Sequence, residues 1–200
     1  TYTAPFSVPA QGTYNISYYS VDNAGNIEAT KYVEFKVDAT DPTTSHTVAG
    51  TAGQNGWYTS AATVTLAASD GTGGSGLDEV KYRIGGGAWQ TYTAAISVST
   101  DGTTTIDYYA IDNAGNTEAT KSVAVKVDRV APASSASVED GTVTLTATDA
   151  TSGVAKIEYR IDGGSWQDYT EAFEVTDEGN HTVEYRAVDN AGNVEATQTT

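Results

Sequence analysis

Asp22, Asp112 and Asp189 each open the same five residues, Asp-Asn-Ala-Gly-Asn, and further aspartates stand nearby in a repeating pattern. Asp38, Asp41 and Asp128 lie in proline-containing segments, while Asp70 and Asp149 each follow an alternating apolar run. Carboxylates and the Asn113 and Asn190 amides are hard oxygen donors. Calcium takes roughly six to eight such oxygens, backbone carbonyls included. The same residues also build turns, because Asp and Asn side chains bond their own backbone and Gly supplies positive φ. The spacing is not that of an EF-hand loop.

Other residues suggest other chemistry. Trp57, Tyr58 and Tyr109 could stack on sugar rings. Trp57 and Tyr58 have no counterpart later in the chain, and Tyr109 falls on the outward phase of its strand. Trp89 and Trp166 recur at equivalent places, which suits packing as well as recognition. His46 and His181 are the only histidines, do not recur, and stand in no metal or triad motif. Acidic pairs such as Asp78-Glu79 and Asp177-Glu178 put neighbouring side chains on opposite faces of a strand, so they cannot flank a glycosidic bond. Gly71 to Gly76 lacks the Lys-Ser/Thr ending of a phosphate loop. No enzyme is expected.

The elements that position these residues are repeated. Asp22 and Asp112 are 90 residues apart, and Asp112 and Asp189 are 77 apart. Residues 1–38 align without a gap to 91–128, and each motif is followed after one variable residue by Glu-Ala-Thr, at Glu28, Glu118 and Glu195. Self-similarity on this scale marks a tandem array of small units. Residues 1–38 read as the C-terminal part of one unit, 39–128 as a complete unit, and 129–200 as a unit lacking its last strand. A chain out of phase with its own repeat is expected to be a piece of a longer polypeptide. Alternatively, the N-terminal strands of one copy complete the last unit of another by strand addition.

Twenty-six acidic residues face ten basic ones, for a net charge of −16. Phosphate backbones and anionic membrane surfaces would be repelled, so nucleic acid is not an expected partner. No apolar run reaches membrane-spanning length, so no direct membrane insertion is expected. There is no cysteine. In a protein of extracellular character that points to bacterial export.

Thr, Val, Ile and Tyr alternate with period two between turns rich in Gly, Asn and Asp, which predicts an all-β chain. Val64, Leu66 and Ala68 share one face, as do Val80, Tyr82 and Ile84, and Ile106, Tyr108 and Ala110. About seven short strands in one unit predict a β-sandwich.

The segment Thr182 to Gly192, with Tyr185 before Val188-Asp189-Asn190-Ala191-Gly192, resembles the penultimate strand of fibronectin type III and bacterial immunoglobulin-like domains. Tyr18, Tyr108 and Tyr185 stand where such sandwiches carry a tyrosine corner. The whole chain resembles tandem bacterial Ig-like (fibronectin III-like) repeats of large surface proteins and secreted polysaccharide-degrading enzymes. The resemblance implies that the loop after the penultimate strand meets both the loop after the second strand and the incoming linker. Asp112 and Asn113 would then approach Asp70, Asp38 and Asp41, while Asp189 and Asn190 would approach Asp149 and Asp128. Calcium would bridge such a cluster; at the second junction Arg129 could instead neutralise Asp128 or Asp149.

The linkers Val37-Asp38-Ala39-Thr40-Asp41-Pro42 and Val127-Asp128-Arg129-Val130-Ala131-Pro132 are short and stiffened by proline. The expected role is a non-catalytic spacer or stalk of a bacterial cell-surface or secreted protein, its partners being the neighbouring repeats. The alternatives are a polysaccharide-binding accessory or adhesin module, and a filament subunit that binds a copy of itself.

Overall fold

The computed structural model describes residues 1–8 and 11–200, and no helix occurs among them. Strands β1 (Gly12–Tyr18) and β2 (Lys31–Val37) form an antiparallel hairpin. The central region contributes β3 (Thr43–Ala49), β4 (Trp57–Tyr58), β5 (Ala62–Ser69), β6 (Leu77–Ile84), β7 (Gln90–Thr91), β8 (Ile96–Val98), β9 (Gly102–Asp112) and β10 (Lys121–Val127). The last region contributes β11 (Ala133–Glu139), β12 (Thr142–Thr148), β13 (Val154–Ile161), β14 (Gln167–Asp168), β15 (Phe173–Glu174), β16 (Val183–Asp189) and β17 (Gln198–Thr199).

The central strands make two sheets, β3-β5-β8 and β4-β10-β9-β6-β7. Their inner faces share one core of Ala62, Val64, Leu66, Ile96, Val98, Ile106, Tyr108, Val125 and Val127. These side chains come from alternate positions of β5, β8, β9 and β10, so period-two patterning is what places them inside. The chain is therefore all-β and built from β-sandwiches. The last region repeats the plan with β11-β12-β15 and β14-β13-β16-β17, around Val143, Leu145, Val183 and Tyr185. A cleft of about 260 Å³ in the last sandwich is lined by Val138, Val143, Val175, Val183 and Thr200.

One inward assignment differs. Ile84 is 40% exposed, because β6 ends there and the chain bends away into the Gly85-Gly86 turn. Both β6 and β13 carry a register shift at their start, between Leu77 and Glu79 and between Val154 and Lys156. Each shift lies opposite the end of β9 or β16, where Asp112 or Asp189 sits. Bulges of this kind twist a strand end and re-aim its side chains.

Candidate metal centre

Each Asp-Asn-Ala-Gly-Asn segment folds into the same turn. The Asp112 Oδ1 accepts hydrogen bonds from the amides of Ala114 and Asn116 at 2.9 and 2.8 Å, and its Oδ2 accepts from Asn116 Nδ2 at 2.7 Å. Asp189 Oδ1 accepts from Gly192 and Asn193, and its Oδ2 from Asn193 Nδ2. Asp22 makes the equivalent bonds to Ala24 and Asn26 although it is exposed and, among the described residues, belongs to no acidic cluster. The turn is thus self-sufficient, held by side chain to backbone bonding within five residues.

Two of these turns carry more than themselves. Asp38, Asp70 and Asp112 bring carboxylate oxygens within 4.8 Å of one another, and so do Asp128, Asp149 and Asp189. In each group one carboxylate comes from the linker and two from the sandwich that follows it. Asp112, Asp128 and Asp189 are fully buried. Among the described residues none of the six forms an ion pair with a basic side chain. Like charges at this separation repel by roughly 3 kcal/mol per pair at an effective dielectric of about 20.

Backbone amides offset part of that repulsion. Asp38 Oδ2 accepts from Ser75 N at 2.6 Å and its Oδ1 from Thr40 N at 3.1 Å. These bonds, that from Ser75 first, hold its carboxyl below the ordinary value. Asp149 Oδ1 accepts from Thr151 and Gly153. Asp128 accepts from Val130 and Ser152. Asp70 differs. Its Oδ2 accepts from Gly76 N at 2.7 Å, but its buried Oδ1 has no hydrogen-bond partner. A buried carboxylate oxygen left unpartnered is costly. The loop that wraps this carboxylate requires glycine, since a β-carbon at Gly74 would overlap the Asp70 carboxylate and carbonyl.

The remaining candidates fall elsewhere. Asn113 Nδ2 donates to the carbonyls of Ser75 and Gly76 at 3.1 and 3.0 Å, and Asn190 Nδ2 to those of Ser152 and Gly153 at 2.8 and 2.9 Å. Both amides tie the two loops of one sandwich end together. Asp41 is not brought to the cluster: Pro42 beside it turns inward and Asp41 faces solvent. Arg129 also departs from expectation. Its Nε and Nη2 bond Asp101 at 2.9 and 3.3 Å, and its backbone amide bonds the same carboxylate at 3.1 Å. One carboxylate in the turn before β9 captures both the guanidinium and its backbone. Asp128 and Asp149 are left without that counter-ion.

The aromatic candidates are engaged by protein. Trp57 and Tyr58 are half-buried in β4, which pairs in parallel with Lys126 and Val127 of β10. Lys126 Nζ lies 5.8 Å from the Trp57 ring centre, and Tyr58 packs against the central core. Tyr109 meets Trp89 edge-on at 4.6 Å, and Arg83 covers Trp89 at 4.6 Å. Trp166 is covered by Arg160 and Arg186 at 4.7 and 4.2 Å.

The histidines are paired as well. His46 Nδ1 lies 2.6 Å from the Tyr108 hydroxyl, and His181 Nδ1 lies 2.7 Å from Asp162. The Asp162 bond raises the His181 pKa above its ordinary 6.5. A raised value means that this pairing stabilises the fold fully below 6.5 and is lost as pH climbs through the folded-state value. An NMR titration should find the His181 midpoint above 6.5, and Asp162→Asn should lower it. A midpoint unmoved by that substitution would refute the pairing.

Sequence reasoning missed three groups of residues. Asn116 and Asn193, last in their motifs, reach from the turn to the linker carbonyls of Asp38 and Asp128 at 3.3 and 3.0 Å. Ser75 and Ser152 hydroxyls accept from the Ala114 and Ala191 amides. Glu118 is buried and receives bonds from Thr44 N at 2.9 Å, Thr44 Oγ1 at 2.6 Å and Lys121 Nζ at 2.6 Å. Glu195 holds Ser134 by its amide and hydroxyl and also accepts from Ala187 N. These glutamates fasten β3 and β11, the first strand after each linker. The signal for them was present in the thrice-repeated Glu-Ala-Thr.

A family model described as a bacterial Ig domain matches residues 126–185, which spans β11 to β15 and the start of β16. Among solved structures, fibronectin(III)-like modules of CbhA from Clostridium thermocellum are similar, at 15% identity and a TM-score of 0.38. That match covers 78% of this chain and 91% of the other. No curated protein sequence matches the chain.

Proposed function

We propose that the chain is a non-catalytic spacer segment of a bacterial surface or secreted protein, in which residues 39–128 form one complete repeat, residues 1–38 the end of one and residues 129–200 most of another. Calcium bound at each linker holds successive sandwiches in line. The observation that carries this reading is the pair of acidic triads, each spanning a linker and the sandwich after it, without a basic partner. Two oxygens on opposite sides of a calcium ion at roughly 2.3–2.6 Å are about 5 Å apart, which suits carboxylates within 4.8 Å of one another. The orphaned Asp70 Oδ1 fits a ligand atom awaiting a cation. Asp38, Asp70 and Asp112 would hold one ion, and Asp128, Asp149 and Asp189 the other. The ion supplies only positive charge and coordination. The protein supplies the orientation, through amides that fix each carboxylate before binding.

The spacer role draws support from linkers whose polar groups are already tied to the next sandwich, by Asn116 to Asp38 and by Asn193 to Asp128. The bacterial Ig match favours a place outside the cytoplasm. Calorimetric titration should find two calcium sites per chain. Asp112→Ala should remove one and Asp189→Ala the other. Heatless titrations together with a freely bending chain in small-angle scattering, in calcium and in EDTA alike, would overturn the reading.

A further inference from the structure

The central sandwich carries a segment between β3 and β5 that the last sandwich lacks; there the connection between β11 and β12 is the tight turn Asp140-Gly141. The longer segment is a small hairpin. Asn55 and Gly56 have φ of 53° and 77°, Trp57 N donates to Gln54 O, and Gly53 N donates to Trp57 O. This is the Asn-Gly pairing expected of a two-residue turn with both central residues at positive φ. The hairpin is anchored beside the linker, since β4 pairs with β10 and Tyr58 O accepts the amide of Asp128 at 2.9 Å.

Its tip grips the following sandwich. Gln54 N donates to Ala191 O at 2.8 Å, and Asn55 Nδ2 donates to Asn190 O at 2.9 Å. The fit is close. A β-carbon on Gly53 would overlap the Ala191 carbonyl oxygen, and one on Gly192 would sit 3.2 Å from the Gln54 side chain. Ala191 is fully buried, while its counterparts Ala24 and Ala114 are exposed, and Gly25 and Gly115 face open space. Among the described residues, this copy of the turn is the one covered by a neighbouring sandwich.

We propose that the hairpin 51–59 is an interdomain clasp whose partner is the Asp-Asn-Ala-Gly-Asn turn of the next sandwich. It reads the turn through the backbone carbonyls of Asn190 and Ala191. The second junction then has two connections, the linker and the clasp, and keeps its angle without a cation. Between the β1-β2 hairpin and the loop after β5, the first junction has an exposed bond from Gln11 Nε2 to Gly73 O at 3.3 Å. Within this 200-residue segment it serves as the comparison junction, with no counterpart of 51–59 against Ala114 among the described residues. The clasp stands whether or not calcium binds.

The chain has no cysteine, so labels can be placed singly. Spin-label distances are measured across the first junction with Glu34→Cys and Thr65→Cys, and across the second with Thr65→Cys and Thr144→Cys. In EDTA the first distribution should broaden and the second should stay narrow. Gly53→Ala should broaden the second. So should Asn55→Gly, which keeps the positive φ and deletes only the side-chain donor. Thermal melts of both variants check that the sandwiches stay folded. If EDTA alone broadens the second pair as far as Gly53→Ala does, the clasp is refuted while calcium binding stands. If EDTA changes neither pair and both variants broaden the second, the clasp stands and the calcium reading fails.

Discussion

In millimolar calcium the chain should melt roughly 10–20 °C higher than in EDTA, with little of that rise in magnesium. A ligand present at about a hundred times its dissociation constant stabilises the native state by about 2.7 kcal/mol. One kcal/mol moves the melting temperature of a domain of this size by roughly 4–8 °C. Magnesium is the poorer fit because it keeps its waters and demands a regular octahedron. Substituting Asp70 sharpens the test by predicting opposite signs in the two buffers. Asp70→Asn keeps an oxygen for the Gly76 amide, removes one of three facing charges, and puts an amide donor where Oδ1 has no partner. In EDTA the variant should melt above the parent, while its calcium increment at that junction should vanish. A purely structural aspartate would give the reverse: a lower melting point in EDTA and no change in the response to calcium.

Glu118→Ala should destabilise the central sandwich by about 2–3 kcal/mol, because it strands buried donors and an ion partner together. Thr44 is buried and loses the acceptor for its amide and hydroxyl, while Lys121 keeps only the Thr44 carbonyl, at 2.6 Å. Burial pushes the Glu118 carboxyl up, but the bonds from Lys121 and Thr44 outweigh it and leave the pKa below its ordinary 4.5. A depressed carboxyl contributes stability that is present above 4.5 and lost as pH falls through the folded-state value. The parent should therefore lose stability in acid faster than Glu118→Gln, whose amide does not titrate. Urea unfolding of parent, Ala and Gln variants between neutral pH and pH 3 would measure this. Coincident acid limbs for parent and Gln would mean that Glu118 contributes no charge-dependent stability.

The sandwich cores were legible because their signal is local. Val64 and Leu66, or Ile106, Tyr108 and Ala110, show their shared face in a few consecutive residues, and all are buried. Asp70 and Asp112 were legible as neighbours through the loop positions that a repeated sandwich implies, and they stand within one cluster. What stayed hidden depends on partners distant in sequence. Nothing near Glu118 announces Thr44, 74 residues earlier. Nothing near Trp57 announces Lys126, so a ring that reads as a sugar platform is part of a sheet edge. Arg129 had three carboxylates within reach along the chain or across the junction, and only the folded turn at Asp101 decides among them.

The Asp140-Gly141 turn has a consequence for how such a chain can change its length. Repeats of this similarity are prone to duplication and loss, and each copy brings its own connection between the first two strands. A second copy of the central sandwich would bring another hairpin like 51–59 and add a joint that is stiff in any ionic surroundings. A second copy of the last sandwich would bring only Asp140-Gly141 and add a joint with nothing but its acidic cluster. Copy number and stiffness would therefore change together or separately according to which copy is multiplied. The twelve residues between β3 and β5 would decide which.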